Sequence, residues 1–110
     1  MTVVGHNTAT IRESLLEKAF ELGEKFITAS KEHYDPGIIG PFCLQTCIDK
    51  DMNYSIYDVA PRLGGGTNVH VSVGHPYGNA TWRKPVSSGR RIAMELRRAA
   101  EQDRLLEVLT

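Results

Sequence analysis

The segment Arg62-Leu63-Gly64-Gly65-Gly66-Thr67-Asn68 is the part of this 110-residue sequence best equipped for chemistry. Consecutive glycines let the backbone approach a ligand closely and turn N–H groups toward an anion. Arg62 adds a planar donor fork suited to phosphate. The spacing is neither that of a Walker loop nor that of a dinucleotide fingerprint, and no lysine follows. A tight turn explains the same residues equally well. Asp58 stands just upstream, inside an otherwise apolar stretch, where a carboxylate is costly unless paired or bound to a cation. Two readings stay open there: an ion pair with Arg62 or another arginine, and a magnesium ligand beside ATP phosphates, since that ion takes hard oxygen donors. Cys43 and Cys47 read as reduced, half-buried strand residues. Zinc would need two more ligands, and His6, His33, His70 and His75 are scattered.

Hydropathy patterning supplies the elements that would position these groups. From Ile11 to about His33, apolar residues recur at three-to-four spacing and predict an amphipathic helix. Thr10 with Glu13, or Ser14 with Glu17, fits a capping box, and Asp35-Pro36-Gly37 ends the helix. Pro41–Ile48 and Tyr54–Ala60 read as two strands of a hairpin, with Tyr54, Ile56 and Asp58 on one face. A turn centred near Asp51 sets Gln45 almost opposite Asp58, and a slip of one residue would part them onto opposite faces. Val69–Val73 predicts a third strand and His75–Asn79 a turn. A last helix is capped by Ser87 or Ser88 and buries Ile92, Ala93, Leu96, Ala99 and Ala100. Asp103 is expected to cap a short terminal turn. Residues 1–110 thus read as one compact α+β domain, a small antiparallel sheet packed by two main helices.

Composition narrows the classes of function. Thirteen basic residues balance thirteen acidic ones and aromatics make up 7%, which argues against nucleic acid as a partner. No apolar run approaches the ~20 residues of a membrane span, and the first residues lack the pattern of a signal peptide. A cytoplasmic location is expected.

Several motifs then occur in one order: GHNTATIRESLLEKAFELGEKF, PGIIGPFCLQTCIDKD, YDVAPRLGGGTNVHV, GHPYGN, WRKPVSSGRR and EQDRLLEVLT. Together they span essentially the whole sequence. It resembles the C-terminal region of the archaeal formate-dependent aminoimidazole carboxamide ribonucleotide ligases, the FAICAR synthetases of the ATP-grasp superfamily. The resemblance implies a C-terminal ATP-grasp subdomain and a part in an ATP-dependent carbon–nitrogen ligase of purine biosynthesis, where formate is activated as formyl phosphate and attacked by the nucleotide's amino group. It implies ATP and Mg²⁺ as cofactors, with formate and a purine-pathway nucleotide as substrates. It further implies a homo-oligomer and a longer natural protein, whose N-terminal and lid domains are the partners of this one. The chain alone is then expected to be inactive.

The same resemblance assigns residues. Gln45 and Asp58 match the family's two metal-holding carboxylates. Arg62, Gly64, Gly65, Gly66 and Thr67 would lie at the ATP phosphates, with Arg62 in the catalytic role. His6, where the family has an asparagine, and Asn68 would bind the nucleotide substrate. Gln45 carries no charge, Asp58 is one methylene shorter than the usual glutamate, and Ala60 takes the place of a metal-binding asparagine. These departures leave a second expectation standing: a non-catalytic nucleotide-binding or oligomerisation module derived from the ligase.

Overall fold

The computed structural model describes residues 2 and 4–109, with the backbone alone at Asn68. Among the described residues, three α-helices and a two-stranded antiparallel sheet make it α+β, as the sequence predicts. The chain divides into two compact units: Thr8–Gly64, and Met1–Asn7 together with Gly65–Thr110.

The first unit is a helix against a hairpin. Helix α1 (Glu13–His33) follows the expected apolar periodicity. Its cap is Arg12, which makes no side-chain capping bond, so neither capping box forms. Thr10 lies too far before the first turn, and Ser14 already inside it. At the other end the Ser30 hydroxyl donates to the Ile27 carbonyl (2.8 Å) and accepts from the Ile38 amide (3.0 Å). That second bond ties the following loop back to the helix. Strands β1 (Cys43–Ile48) and β2 (Tyr54–Ala60) pair antiparallel. Asp49 builds their connection, its carboxylate accepting from the amides of Asp51 (2.9 Å) and Asn53 (2.8 Å) and from the Asn53 side chain (3.2 Å). These donors, the Asn53 amide foremost, hold the Asp49 carboxyl below its ordinary value.

One face of the hairpin lies on α1. Phe42 meets Phe26 with ring centroids 4.9 Å apart, and the Tyr54 hydroxyl donates to the Leu15 carbonyl at 3.2 Å. Leu15 is buried at that contact. The register explains what shares the opposite face. Ile48↔Tyr54, Cys47↔Ser55 and Thr46↔Ile56 run regularly, and the next pair is Gln45↔Asp58. Tyr57 is thus an extra residue, a β-bulge. Without it Gln45 would face Tyr57 and Asp58 would move to the helix side. Asp58 therefore parts from the face of Tyr54 and Ile56, which corrects the simple alternation expected from the sequence.

The second unit departs further from expectation. Val69–Val73 forms no strand. A 3-10 turn occupies Gly65–His70, the Gly74 amide returns to the His70 carbonyl (2.9 Å), and Val71 and Val73 are exposed. A strand needs a neighbour to satisfy its backbone, and the described sheet ends with β2. The expected turn at His75–Asn79 is instead the start of helix α2 (Pro76–Trp82). Pro76 presets the first helical φ, and His75 Nδ1 accepts from the Tyr77 amide at 3.3 Å. The Asn79 side chain then clamps two loops, donating to the Val73 carbonyl (2.8 Å) and accepting from the Val86 amide (3.0 Å).

Ser87 caps helix α3 (Ser88–Glu101), accepting from the Arg90 amide at 3.3 Å. Of the expected apolar stripe only Ala99 is buried; Ile92 and Leu96 remain 40% and 36% exposed. Within this unit α3 packs chiefly on the short turn Leu105–Glu107, which is too small to cover the stripe. Asp103 caps no following turn. It ends α3 at φ 55°, where the Asp103 amide donates to the Ala100 carbonyl (3.1 Å) and the Arg104 amide to the Ala99 carbonyl (2.8 Å). That bonding pattern favours glycine in the left-handed position. Asp103→Gly is accordingly expected to stabilise the chain by about 1 kcal/mol, read as a higher urea midpoint at unchanged slope. A lower midpoint would contradict it.

Candidate functional site

In the first unit, the residues expected around a metal come together in another form. Gln45 Nε2 donates to Asp58 Oδ2 at 2.7 Å, on the hairpin face turned from α1. Asp58 is exposed and takes this amide as its partner, so the expected ion pair with Arg62 is not made. The Arg62 guanidinium instead donates to the Leu63 carbonyl at 2.8 Å. Ala60, buried beside the pair, offers no side-chain donor atom.

This donor set does not fit a divalent cation held by the protein alone. Magnesium favours several hard, preferably charged oxygens in octahedral geometry. Gln45 and Asp58 supply one carboxylate and one neutral amide oxygen, and the amide N–H already engages Asp58 Oδ2. Among the described residues no group of three histidine, cysteine or acidic side chains converges anywhere.

Gly64 has a packing reason to be glycine. A Cβ there would lie 2.5 Å from Cys43 Sγ and 3.1 Å from Cys43 Cβ. The loop backbone passes against the strand, and the reading of Gly64 as space for a ligand is not required.

The remaining site residues belong to the second unit. The His6 ring lies beside the glycines: a Cβ on Gly65 would sit 3.6 Å from it, and one on Gly66 3.9 Å. Thr67 is half-buried in the 3-10 turn. The side chain of Asn68, expected to bind substrate, lies outside the described residues. His6, Gly65 and Gly66 are thus grouped in one unit, and Gln45, Asp58, Arg62 and Gly64 belong to the other.

A family model described as a domain of unknown function, DUF1297, matches residues 1–110. The chain belongs to the DUF1297 family. Among relatives of this DUF1297 chain is a Thermococcus kodakarensis protein, 45% identical over 112 residues, covering 99% of this chain and 32% of the relative. A Methanobrevibacter smithii protein is 39% identical over 108 residues, covering 98% and 30%. Both bear the name 5-formaminoimidazole-4-carboxamide-1-(beta)-D-ribofuranosyl 5'-monophosphate synthetase. A crystal structure described as an IMP biosynthesis protein PurP from Thermococcus kodakaraensis superposes with TM-score 0.83 at 40% identity, over 99% of this chain and 35% of that one. The DUF1297 chain therefore spans about a third of the length of the relatives it matches. Its resemblance to the FAICAR synthetases and its α+β fold are as the sequence predicts.

One cluster in the DUF1297 chain was not visible in the sequence as a group. His70 and His75 meet edge to face at 5.0 Å, and His75 stacks on Tyr77 at 5.4 Å. The signal is two histidines five residues apart, His70 and His75, on either side of the boundary between the expected strand and the expected turn. Burial, then the charge of His70, holds His75 below the usual imidazole value. Its neutral Nδ1 is the acceptor that caps α2, and protonation removes that acceptor. Because the folded pKa is depressed, this contribution is present above the unfolded value and is lost as pH falls through the folded one. The melting midpoint is expected to drop as pH is lowered from neutrality toward about 5. His75→Asn, which keeps a capping acceptor, is expected to flatten the drop. An equally steep pH dependence in that variant would contradict the assignment.

Proposed function

We propose that the chain is the C-terminal ATP- and nucleotide-binding part of an ATP-dependent ligase that formylates aminoimidazole carboxamide ribonucleotide with formate in purine biosynthesis. The observation carrying this reading is the 0.83 superposition at 40% identity over nearly the whole chain with an IMP biosynthesis protein. Relatives bearing the synthetase name at 39–45% identity support it. In this reading the missing two-thirds supplies the lid and the N-terminal domain, and the assembled enzyme is cytoplasmic and homo-oligomeric. No described helix is long and apolar enough to cross a membrane.

Each unit contributes its own groups. His6, beside Gly65 and Gly66, offers a ring nitrogen to the nucleotide substrate, with Asn68 as its companion. In this reading the Arg62 guanidinium, beyond its bond to the Leu63 carbonyl, offers charge to the ATP phosphates, and the glycine loop Gly64 to Thr67 offers backbone amides. Magnesium, when bound, neutralises phosphate charge. Gln45 and Asp58 do not hold it unaided, so ATP oxygens and water would be its main ligands.

A second reading is favoured by one observation, the amide–carboxylate bond at the expected metal position: a non-catalytic nucleotide-binding or oligomerisation module derived from the ligase. Assay of the purified 110-residue chain with formate, ATP and nucleotide tests the leading proposal. It expects no formate-dependent phosphate release, and robust turnover would overturn the assignment of this chain as one part of a larger active site.

A further inference from the structure

Helix α3 and the segment before it enclose an open groove of about 910 Å³ within the second unit. Lys84, Arg90, Arg97 and Arg98 line it, together with Trp82 and Met94. The four cations are exposed and make no hydrogen bond or ion pair with another side chain. Two acidic residues also line it, and they differ. Glu95 is already neutralised by Arg91 at 2.6 Å, and the same Arg91 guanidinium lies 5.1 Å from the centre of the Trp82 ring. Glu101 is left as the single unpaired acid against four unpaired cations.

This imbalance is unusual for the molecule that carries it. The chain as a whole has thirteen charges of each sign, so the excess is local to one concave surface. Arg90, Arg97 and Arg98 line one groove with Lys84, and water alone screens their like charges. A multiply charged anion in the groove would replace that screening with charge-assisted hydrogen bonds, and guanidinium forks suit phosphate oxygens. The groove's volume falls in the range of small-ligand sites. The rest of the chain, nine basic against eleven acidic residues, offers no extended positive field for a nucleic-acid backbone.

We infer that the α3 groove is a binding site for a compact polyphosphate anion, read by Lys84, Arg90, Arg97 and Arg98. It is independent of the ligase reading and of the Gln45–Asp58 face.

Trp82 is the chain's single tryptophan, so its fluorescence reports this groove directly. The test is a titration of the 110-residue chain with inorganic tripolyphosphate, against sodium sulfate at matched ionic strength. The expected result is a saturable change in Trp82 emission, tighter for tripolyphosphate than for sulfate and weaker as salt rises. Arg97→Gln/Arg98→Gln, two exposed changes in a helix, should weaken binding about tenfold or more with circular dichroism unchanged. Lys18→Gln/Lys25→Gln on α1 should leave it unaltered. Equal responses to sulfate and tripolyphosphate, or full binding by the arginine double variant, would overturn the inference. A short DNA duplex binding more tightly than tripolyphosphate would overturn the assignment to a small anion.

Discussion

Gly74→Ala is expected to cost about 3 kcal/mol, the largest loss from any single added methyl group in the second unit. Gly74 holds φ 76°, a left-handed conformation that itself costs alanine about 1–2 kcal/mol. A Cβ there would also press on the Asn79 side-chain oxygen and the Val86 carbonyl, and lie 2.9 Å from the Val86 amide. Those atoms belong to the Asn79 clamp between the Val73 and Val86 loops, and Val86 is buried. Relief would break the clamp, since the backbone on that side cannot swing away as a flexible side chain does. Urea unfolding followed at Trp82 reads the loss. Gly78→Ala is the control, because nothing lies near its added methyl and it sits inside α2. A midpoint for Gly74→Ala equal to that of the unmodified chain would show that the clamp contributes nothing.

Gln45→Glu carries the second large effect and bears on function. It replaces the amide donor 2.7 Å from Asp58 with a second carboxylate on the same exposed face. Like charges opposite each other across a ladder destabilise it, here by up to about 1 kcal/mol in metal-free buffer at neutral pH. Each carboxylate would raise the other's pKa in the fold. The variant's deficit should therefore vanish at low pH and grow as pH rises from the unfolded carboxyl value through the raised folded one. A divalent cation relieves the repulsion and gains a second charged oxygen. The variant should therefore bind Mn²⁺ at least about tenfold more tightly than the unmodified chain. Millimolar Mg²⁺ should restore the variant's stability and leave the unmodified chain's midpoint where it was. Adding Asp58→Asn to the variant should abolish both responses. Tight, saturable Mn²⁺ binding by the unmodified chain would contradict the reading of Gln45 and Asp58 as a donor set too weakly charged to hold a cation unaided.

The meeting of Gln45 and Asp58 was legible in the sequence, but for an incomplete reason. A turn centred near Asp51 predicts the pairing only approximately, and it is the extra residue Tyr57 that sets the two side chains on one face. A bulge leaves no local signature in YSIYDVA, because it is decided by which faces of two strands must be buried together. Helix α1 and the Ser87 cap were readable from periodicity and cap chemistry, which are local. Val69–Val73 was misread because alternating valines satisfy a strand pattern without supplying a partner strand. HPYGN was misread because Gly78 and Asn79 are turn formers, yet Pro76 and the His75 acceptor start a helix whose asparagine then clamps the loops. The exposed Ile92 and Leu96 show the limit of periodicity in another way. The pattern fixes which face of α3 is apolar, whereas burial depends on what the rest of the unit can lay against it.

The most direct measurement concerns the proposal that this chain serves as the C-terminal part of a formate-dependent ligase. The matching third of the Thermococcus kodakarensis relative would be replaced by this chain, and phosphate release measured with ATP, formate and the aminoimidazole carboxamide nucleotide. Release that requires both formate and nucleotide and is lost on Arg62→Ala is the expected result. A folded chimera that binds ATP yet releases no formate-dependent phosphate would contradict it, and would leave the non-catalytic module as the function of this chain.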